Sequence, residues 1–351
     1  MLDERSFLVQ NDPMGMADLT AGFADQCARA VEIAQAAALP KWTALPDHVI
    51  LTGLGGSAAG GDLLGALFAH EGKVPFLVNR DYTLPSFAGQ GTFVICASYS
   101  GNTEETISAY HDARRRGCTI LVLSSGGELT KLAKQDGWPV ITVPGGQPPR
   151  TAMGYMFMPL VVACAQMGLI PPQDFEAAIN AIREVATECG FESPETLNPA
   201  KQLSRQMSGK LATLYGLGSW QYALAQRWRG QINENSKEMI LTHVFPELCH
   251  NEILGWQGSG EQGVAEWITV LLAGGDESDR FMARVRITCE QIGSATSFTT
   301  VTAKGDRLLS KMLSLAHFGD YVSLYLAALK GRDPGQMIAI DRLKEELAKL
   351  P

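Results

Sequence analysis

From residue 48 onward the chain alternates short apolar runs with stretches whose apolar residues recur at helical spacing. The apolar runs predict strands at His48–Thr52, Val74–Val78, Thr92–Ala97, Thr119–Ser124 and Val140–Val143. Between them the pattern predicts helices at Gly60–Ala69, Thr103–Arg116 and Leu129–Gln135. Ahead of this block, residues 17–38 carry Phe23, Cys27, Ala30, Val31, Ala34, Ala37 and Ala38 at helical spacing, an N-terminal helix expected to pack on the unit that follows. Strands alternating with helices through short turns predict a doubly wound parallel sheet.

Gly145-Gly146-Gln147-Pro148-Pro149 interrupts that alternation, and a long helix is expected from Thr151 to Met167. The apolar stretch from Met153 to Ile170 contains Pro159 and Gln166 and falls short of the roughly twenty apolar residues a bilayer needs, so it reads as a buried helix. Pro171-Pro172 opens a polar helical linker running to Pro199. A second α/β unit starts near Lys210, with strands at Leu211–Tyr215, Leu241–Val244, Trp267–Leu272 and Phe298–Thr302, and helices at Tyr222–Trp228, Ser278–Ile292 and Leu308–Leu329. Its first turn, Gly216-Leu217-Gly218-Ser219, echoes Gly53-Leu54-Gly55-Gly56-Ser57, which points to an internal duplication. The expected division is a helical segment 1–45, a first domain 46–170, a linker 171–205 and a second domain 206–351.

Two turns carry most of the candidate chemistry. The first strand runs into Gly53–Gly61, and the strand Thr92–Ala97 runs into Ser98-Tyr99-Ser100-Gly101-Asn102-Thr103-Glu104-Glu105. Glycine lets backbone approach an anion, and amides at a helix N-terminus favour negative charge. Ser57, Ser98, Ser100 and Thr103 add hydroxyl donors, and neither turn contains lysine, so the pair suits a single phosphate monoester better than a triphosphate. The plainer reading of the second turn is helix capping by Asn102 or Thr103, which leaves the grouped hydroxyls before the cap unexplained. Gly53-x-Gly55-x-x-Ala58 also fits a dinucleotide fingerprint, but the second strand ends Val78-Asn79-Arg80, without the acidic residue that a ribose needs.

The net charge of −8 argues against broad nucleic-acid or anionic-membrane binding. The cysteines number seven and form no CxxC pair, which suits small buried residues in a reducing, cytoplasmic setting. The start of the chain shows no signal-peptide pattern. Arg150, behind the rigid Pro148-Pro149 pair, reads as a placed cation. The densest polar stretch in an apolar setting is 231–256, with Glu234 after a tryptophan-bearing helix and His250-Asn251-Glu252 between apolar residues. A carboxylate and a histidine are what proton transfer beside a carbonyl needs. A core histidine is the plain alternative. Metal binding is disfavoured by spacing, since His250 and Glu252 lie at i, i+2 and His243 is remote.

Gly55-Gly56-Ser57, the Ser98–Glu105 turn, Pro149-Arg150, Asn233-Glu234-Asn235-x-Lys237 and Pro246-Glu247-Leu248-x-His250-Asn251-Glu252-Ile253-x-Gly255-Trp256 occur in one order. So does the tail, Gly319-Asp320-Tyr321-Val322-Ser323 followed by Ile340-Asp341-x-Leu343-Lys344. This series resembles the bifunctional phosphoglucose/phosphomannose isomerase family. The resemblance implies two doubly wound, three-layer αβα domains of sugar-isomerase (SIS) type. It implies metal-independent, cofactor-free interconversion of glucose 6-phosphate, and mannose 6-phosphate, with fructose 6-phosphate through a cis-enediol. By the same resemblance Gly55, Gly56, Ser57, Ser98, Ser100 and Thr103 hold the phosphate, and Glu234 moves the proton between C1 and C2. Arg150 stabilises the enediolate, His250 assists ring opening across the interface of a homodimer, and Lys344 serves near the ring oxygen. Two alternatives stand beside it. A sugar-phosphate-sensing module without catalysis is disfavoured by the absence of a helix-turn-helix reader in residues 1–45. A nicotinamide-dependent oxidoreductase is disfavoured by the missing acidic residue.

Overall fold

A computed structural model describes residues 1–40, 42–347 and 349; the domain end expected at residue 351 lies outside them. The chain forms two compact units, one from residues 22–183 and 304–314, the other from 1–21, 184–303 and 315–351.

The first unit is built on five parallel strands, β1 (His48–Thr52), β2 (Phe76–Asn79), β3 (Thr92–Ala97), β4 (Thr119–Ser124) and β5 (Val140–Thr142), in the order β2-β1-β3-β4-β5. The central strand β3 is buried along its whole length, which is why it reads as an unbroken apolar run instead of an alternating one. Thr52 pairs with Cys96, so β1 and β3 end at nearly the same level. They flank the point where strand order reverses, the place where such sheets bind ligands beyond their carboxyl ends. The second unit has β6 (Leu211–Gly216), β7 (Ile240–Val244), β8 (Trp267–Ala273) and β9 (Ser297–Thr302), all parallel, in the order β7-β6-β8-β9. This repeats the first order without its fifth strand. Helices flank both sheets, and the repeat suggested by the glycine echo recurs in the strand order.

Two helices differ from expectation in where they start. The helix after β1 begins at Gly55, not Gly60, and runs to Glu71. Glycine weakens an isolated helix, but here close packing decides. A side chain at Gly60 would stand 2.9 Å from the Met156 carbonyl oxygen, and one at Gly56 would stand 3.1 Å from that of Pro149. The helix Met153–Gln166 therefore lies against this one through its glycines. The predicted N-terminal helix 17–38 breaks at Gly22 into Met16–Ala21 and Phe23–Gln35. Phe23–Gln35 buries Phe23, Cys27, Ala30, Val31 and Ala34 and packs on Met153–Gln166.

Met153–Gln166 is almost wholly buried, as expected. Among the described residues, the helix long and apolar enough to span a bilayer is instead Leu308–Leu329, and 94% of its most apolar window is buried, as in a core helix. All seven cysteines are free thiols, and only Cys249 and Cys289 are partly exposed.

Candidate functional site

In the first unit the two turns meet above the ends of β1 and β3. Gly53 has room for no side chain, since a Cβ there would lie 2.6 Å from the Ala97 carbonyl oxygen. Beyond it, Gly55 and Gly56 open their helix, and Leu54 at the cap position makes no side-chain cap. Amides of a first helical turn have no intrahelical acceptor and suit an anion. Ser57, one turn in, is buried, and its Oγ accepts a hydrogen bond from the Tyr99 amide at 3.2 Å, joining the two turns.

Thr103 has N-cap geometry for the helix Glu104–Arg115, but its hydroxyl does not cap. It lies 2.8 Å from the hydroxyl of Ser98, which also accepts from the Gly101 amide at 3.1 Å. Ser100 is exposed and accepts from the Asn102 amide at 3.2 Å. Each hydroxyl carries one hydrogen. Among the described residues, the hydrogens of Ser57 and Ser100, and one of the Ser98–Thr103 pair, remain to donate outward. Capping therefore does not account for the hydroxyl group.

The turn after β4, to which the sequence pattern assigns no role, braces this cradle. Gly101 takes φ +71°, and a Cβ there would fall 1.8 Å from the Gly126 carbonyl oxygen. The Leu129 amide donates to the Gly101 carbonyl at 2.9 Å, and the Glu128 amide to Asn102 Oδ1 at 3.0 Å. The paired glycines after a predicted strand were the available signal.

Arg150 is buried in a single 3-10 turn, Pro149–Thr151, that leads into the buried helix. Gln26, from Phe23–Gln35, holds this turn on both sides. Its Nε2 donates to the Thr151 carbonyl at 2.9 Å, and its Oε1 accepts from the Gly154 amide at 2.7 Å. Gln26 was missed because a polar residue on an apolar helical face gives no hint of its partner. The second strand ends in Asn79, whose Nδ2 donates to Thr52 Oγ1 at 3.2 Å, so the place an acidic ribose ligand would need is taken by a strand-to-strand tie.

In the second unit, Glu234 is partly exposed near the end of the helix Ser219–Asn235. Lys237 follows in a left-handed conformation, φ 60°, and its Nζ donates to the Glu234 carbonyl at 2.5 Å and to the Asp333 carbonyl at 2.9 Å. The lysine of the Asn-Glu-Asn-x-Lys series is thus a helix end-cap. One face of the same helix is bolted to Leu308–Leu329. Arg227 reaches both oxygens of Asp320 at 2.7 and 2.9 Å, Gln231 donates to Asp320 at 2.6 Å, and Asn235 donates to Ser323 at 2.8 Å. Residues 227, 231 and 235 are spaced i, i+4, i+8, so they share one stripe. Burial pushes the Asp320 carboxyl up, against the pull of Arg227.

His250 is exposed at the end of a 3-10 turn, Glu247–His250, and not a core histidine. Among the described residues it makes no hydrogen bond or ion pair. Lys344 is exposed on the helix Ile338–Leu347, which buries no residue of its own. Among the described residues no group of three or more His, Cys, Asp or Glu side chains is arranged to hold a metal ion.

The turn of the second sheet that corresponds to Ser98–Thr103 follows β8, and its one hydroxyl, Ser278, caps the next helix by accepting from the Phe281 amide at 3.3 Å. It is closed by the chain's own carboxylate: Glu277 accepts from the Gly274 amide at 2.5 Å, the Gly275 amide at 3.0 Å and Gln221 Nε2 at 3.0 Å.

Residues 196–347 match the family model described as the bacterial phospho-glucose isomerase C-terminal SIS domain. The chain is 42% identical over 307 residues to the bifunctional phosphoglucose/phosphomannose isomerase of Caldicellulosiruptor bescii, covering 87% of this chain and 90% of that protein. It is 33% identical over 302 residues to the protein of the same name from Thermoplasma volcanium, covering 86% and 92%. In fold it is similar to the crystal structure of a hypothetical protein from Thermus thermophilus, with a TM-score of 0.75 at 14% identity, covering 99% of this chain and 93% of that one.

Proposed function

This chain belongs to the bifunctional phosphoglucose/phosphomannose isomerase family, and on that premise we propose that it interconverts glucose 6-phosphate and mannose 6-phosphate with fructose 6-phosphate. The observation that carries the reading onto this molecule is the turn after β3. Its Ser98 and Thr103 hydroxyls bond each other and not the helix, which leaves outward donors beside the first-turn amides of Gly55 and Gly56. Such a cradle fits a sugar phosphate.

In this reading Gly55, Gly56, Ser57, Ser98, Ser100 and Thr103 bind the phosphate. Glu234 takes the proton from one of the two carbons C1 and C2 and returns it to the other, passing through a cis-enediol. The stiffly held helix supports that role, since a base must be placed within hydrogen-bond reach of the proton it moves. Arg150, on a turn fixed by Gln26, stabilises the negative charge on the enediolate oxygen; preorganised charge of this kind commonly contributes more to a rate enhancement than any other single effect. Lys344 acts near the ring oxygen. His250 opens the ring in the active site of a partner chain within a homodimer, which its exposure and lack of polar contacts among the described residues of its own chain support.

A coupled assay tests the proposal. Purified protein in EDTA receives fructose 6-phosphate, and glucose 6-phosphate and mannose 6-phosphate are followed separately. Both products are expected. Glucose 6-phosphate alone would narrow the activity to one epimer, and neither product would overturn it.

A further inference from the structure

We infer that Glu252 is a positioning residue for His250; this rests on the isomerase reading above. The turn that carries His250 is anchored on both sides, with Cys249 Sγ also 3.4 Å from Thr288 Oγ1. On one side Leu248 is fully buried. On the other, the Glu252 carboxylate is held by the ends of two strands.

Tyr215, at the end of β6, donates its hydroxyl hydrogen to Glu252 Oε1 and accepts the Trp256 indole N–H at 2.8 Å. Tyr215 and Trp256 are both buried, so this is a fixed post and not a surface contact. Burial, reinforced by the neighbouring carboxylate, pushes the Tyr215 phenol up, so it stays a donor. The second oxygen of Glu252 lies 3.9 Å from His243 Nε2 on β7. His243 Nδ1 accepts the Val244 amide at 2.8 Å, which fixes the ring beside Glu252. The Glu252 amide in turn donates to Asn251 Oδ1 at 2.6 Å.

Between these anchors His250 itself touches no polar partner of its chain among the described residues. Its placement is therefore that of its backbone, which Leu248 and Cys249 hold on one side and Glu252 on the other. Both oxygens of Glu252 face groups of the fold, which suits a tether and not a proton carrier.

The test uses the full-length enzyme with fructose 6-phosphate. Glu252→Ala and Tyr215→Phe should lower kcat about tenfold with KM within twofold. Glu252→Gln should recover most of that loss, because its amide oxygen can still accept from Tyr215. In a His250→Ala background, Glu252→Ala should cost less than twofold further. An unchanged kcat in folded Glu252→Ala, or a full loss in both backgrounds, would overturn the inference. NMR of the His250 imidazole reads the tether without turnover: Glu252→Ala should shift and broaden its signals, and unchanged signals would overturn it. A wild-type protein without turnover would strike at the isomerase reading instead, while the imidazole signals would still decide the tether.

Discussion

Thr103 stands at the head of a helix, yet its hydroxyl lies 2.8 Å from that of Ser98 and bonds no helix amide. The contact separates two roles that usually coincide. Replacing Thr103 by Val should therefore cost little stability, because no cap is lost, while it removes one hydroxyl of the pair and frees the other to turn away from its present position. The expected result for Thr103→Val or Ser98→Ala is a KM for sugar phosphate raised about tenfold, equivalent to ~1.4 kcal/mol, with kcat changed much less. Steady-state kinetics and a thermal melt on each variant check both halves.

Gly101 and Gly55 both have positive φ, +71° and +54°, but their surroundings differ. A methyl at Gly55 meets nothing within 4 Å, whereas one at Gly101 collides with the Gly126 backbone. Gly55→Ala should cost about 1–2 kcal/mol, the strain of a left-handed alanine. Gly101→Ala should cost clearly more, since the turns after β3 and β4 must part. The urea midpoints of the two variants, compared side by side, measure the difference.

His317 is fully buried on Leu308–Leu329, its ring 4.6 Å from that of Tyr321, and burial pulls its imidazole down to about 3. In the unfolded chain it binds a proton near pH 6.5. The unfolded state thus holds the extra proton between those values, so stability is fully present above pH 6.5 and declines as pH falls toward 3. The slope is about 1.4 kcal/mol per pH unit within that window. Melting temperatures of wild type and His317→Gln between about pH 7 and pH 4 should converge as the pH falls, because the variant has no imidazole to protonate. Parallel curves would contradict it.

Glu277 fills the second sheet's turn, whereas the hydroxyl cradle leaves the first sheet's turn open. Calorimetric titration with inorganic phosphate should accordingly find one binding equivalent per chain. Two equivalents would mean that the Glu277 carboxylate yields to an external anion.

Much of this was legible in the sequence. Among the described residues, the strands of both sheets lie within about two residues of their apolar runs, because strands buried in a parallel sheet need continuous apolar character. The glycine-rich start of the first long helix was not legible, since Gly55, Gly56 and Gly60 read as chain breakers until the helix they pack against is present. Among site residues, the hydroxyl turn was visible as a cluster of donors without a capping explanation. Gln26, which holds the Arg150 turn, was not, since its partners Thr151 and Gly154 lie far along the chain. The stripe Arg227, Gln231 and Asn235 shows the same limit. Its spacing marks one helix face, but only the fold brings Asp320 and Ser323 to meet it. A buried aspartate demands a partner without naming one.

The central claim is that Glu234 moves the proton, and its conservative variant tests that most directly. Glu234→Gln keeps the side chain's size and removes its basicity. Turnover of fructose 6-phosphate should fall by about a thousandfold or more, while phosphate binding and the thermal melt stay as in wild type. Turnover within about tenfold of wild type would contradict the assignment and require another base.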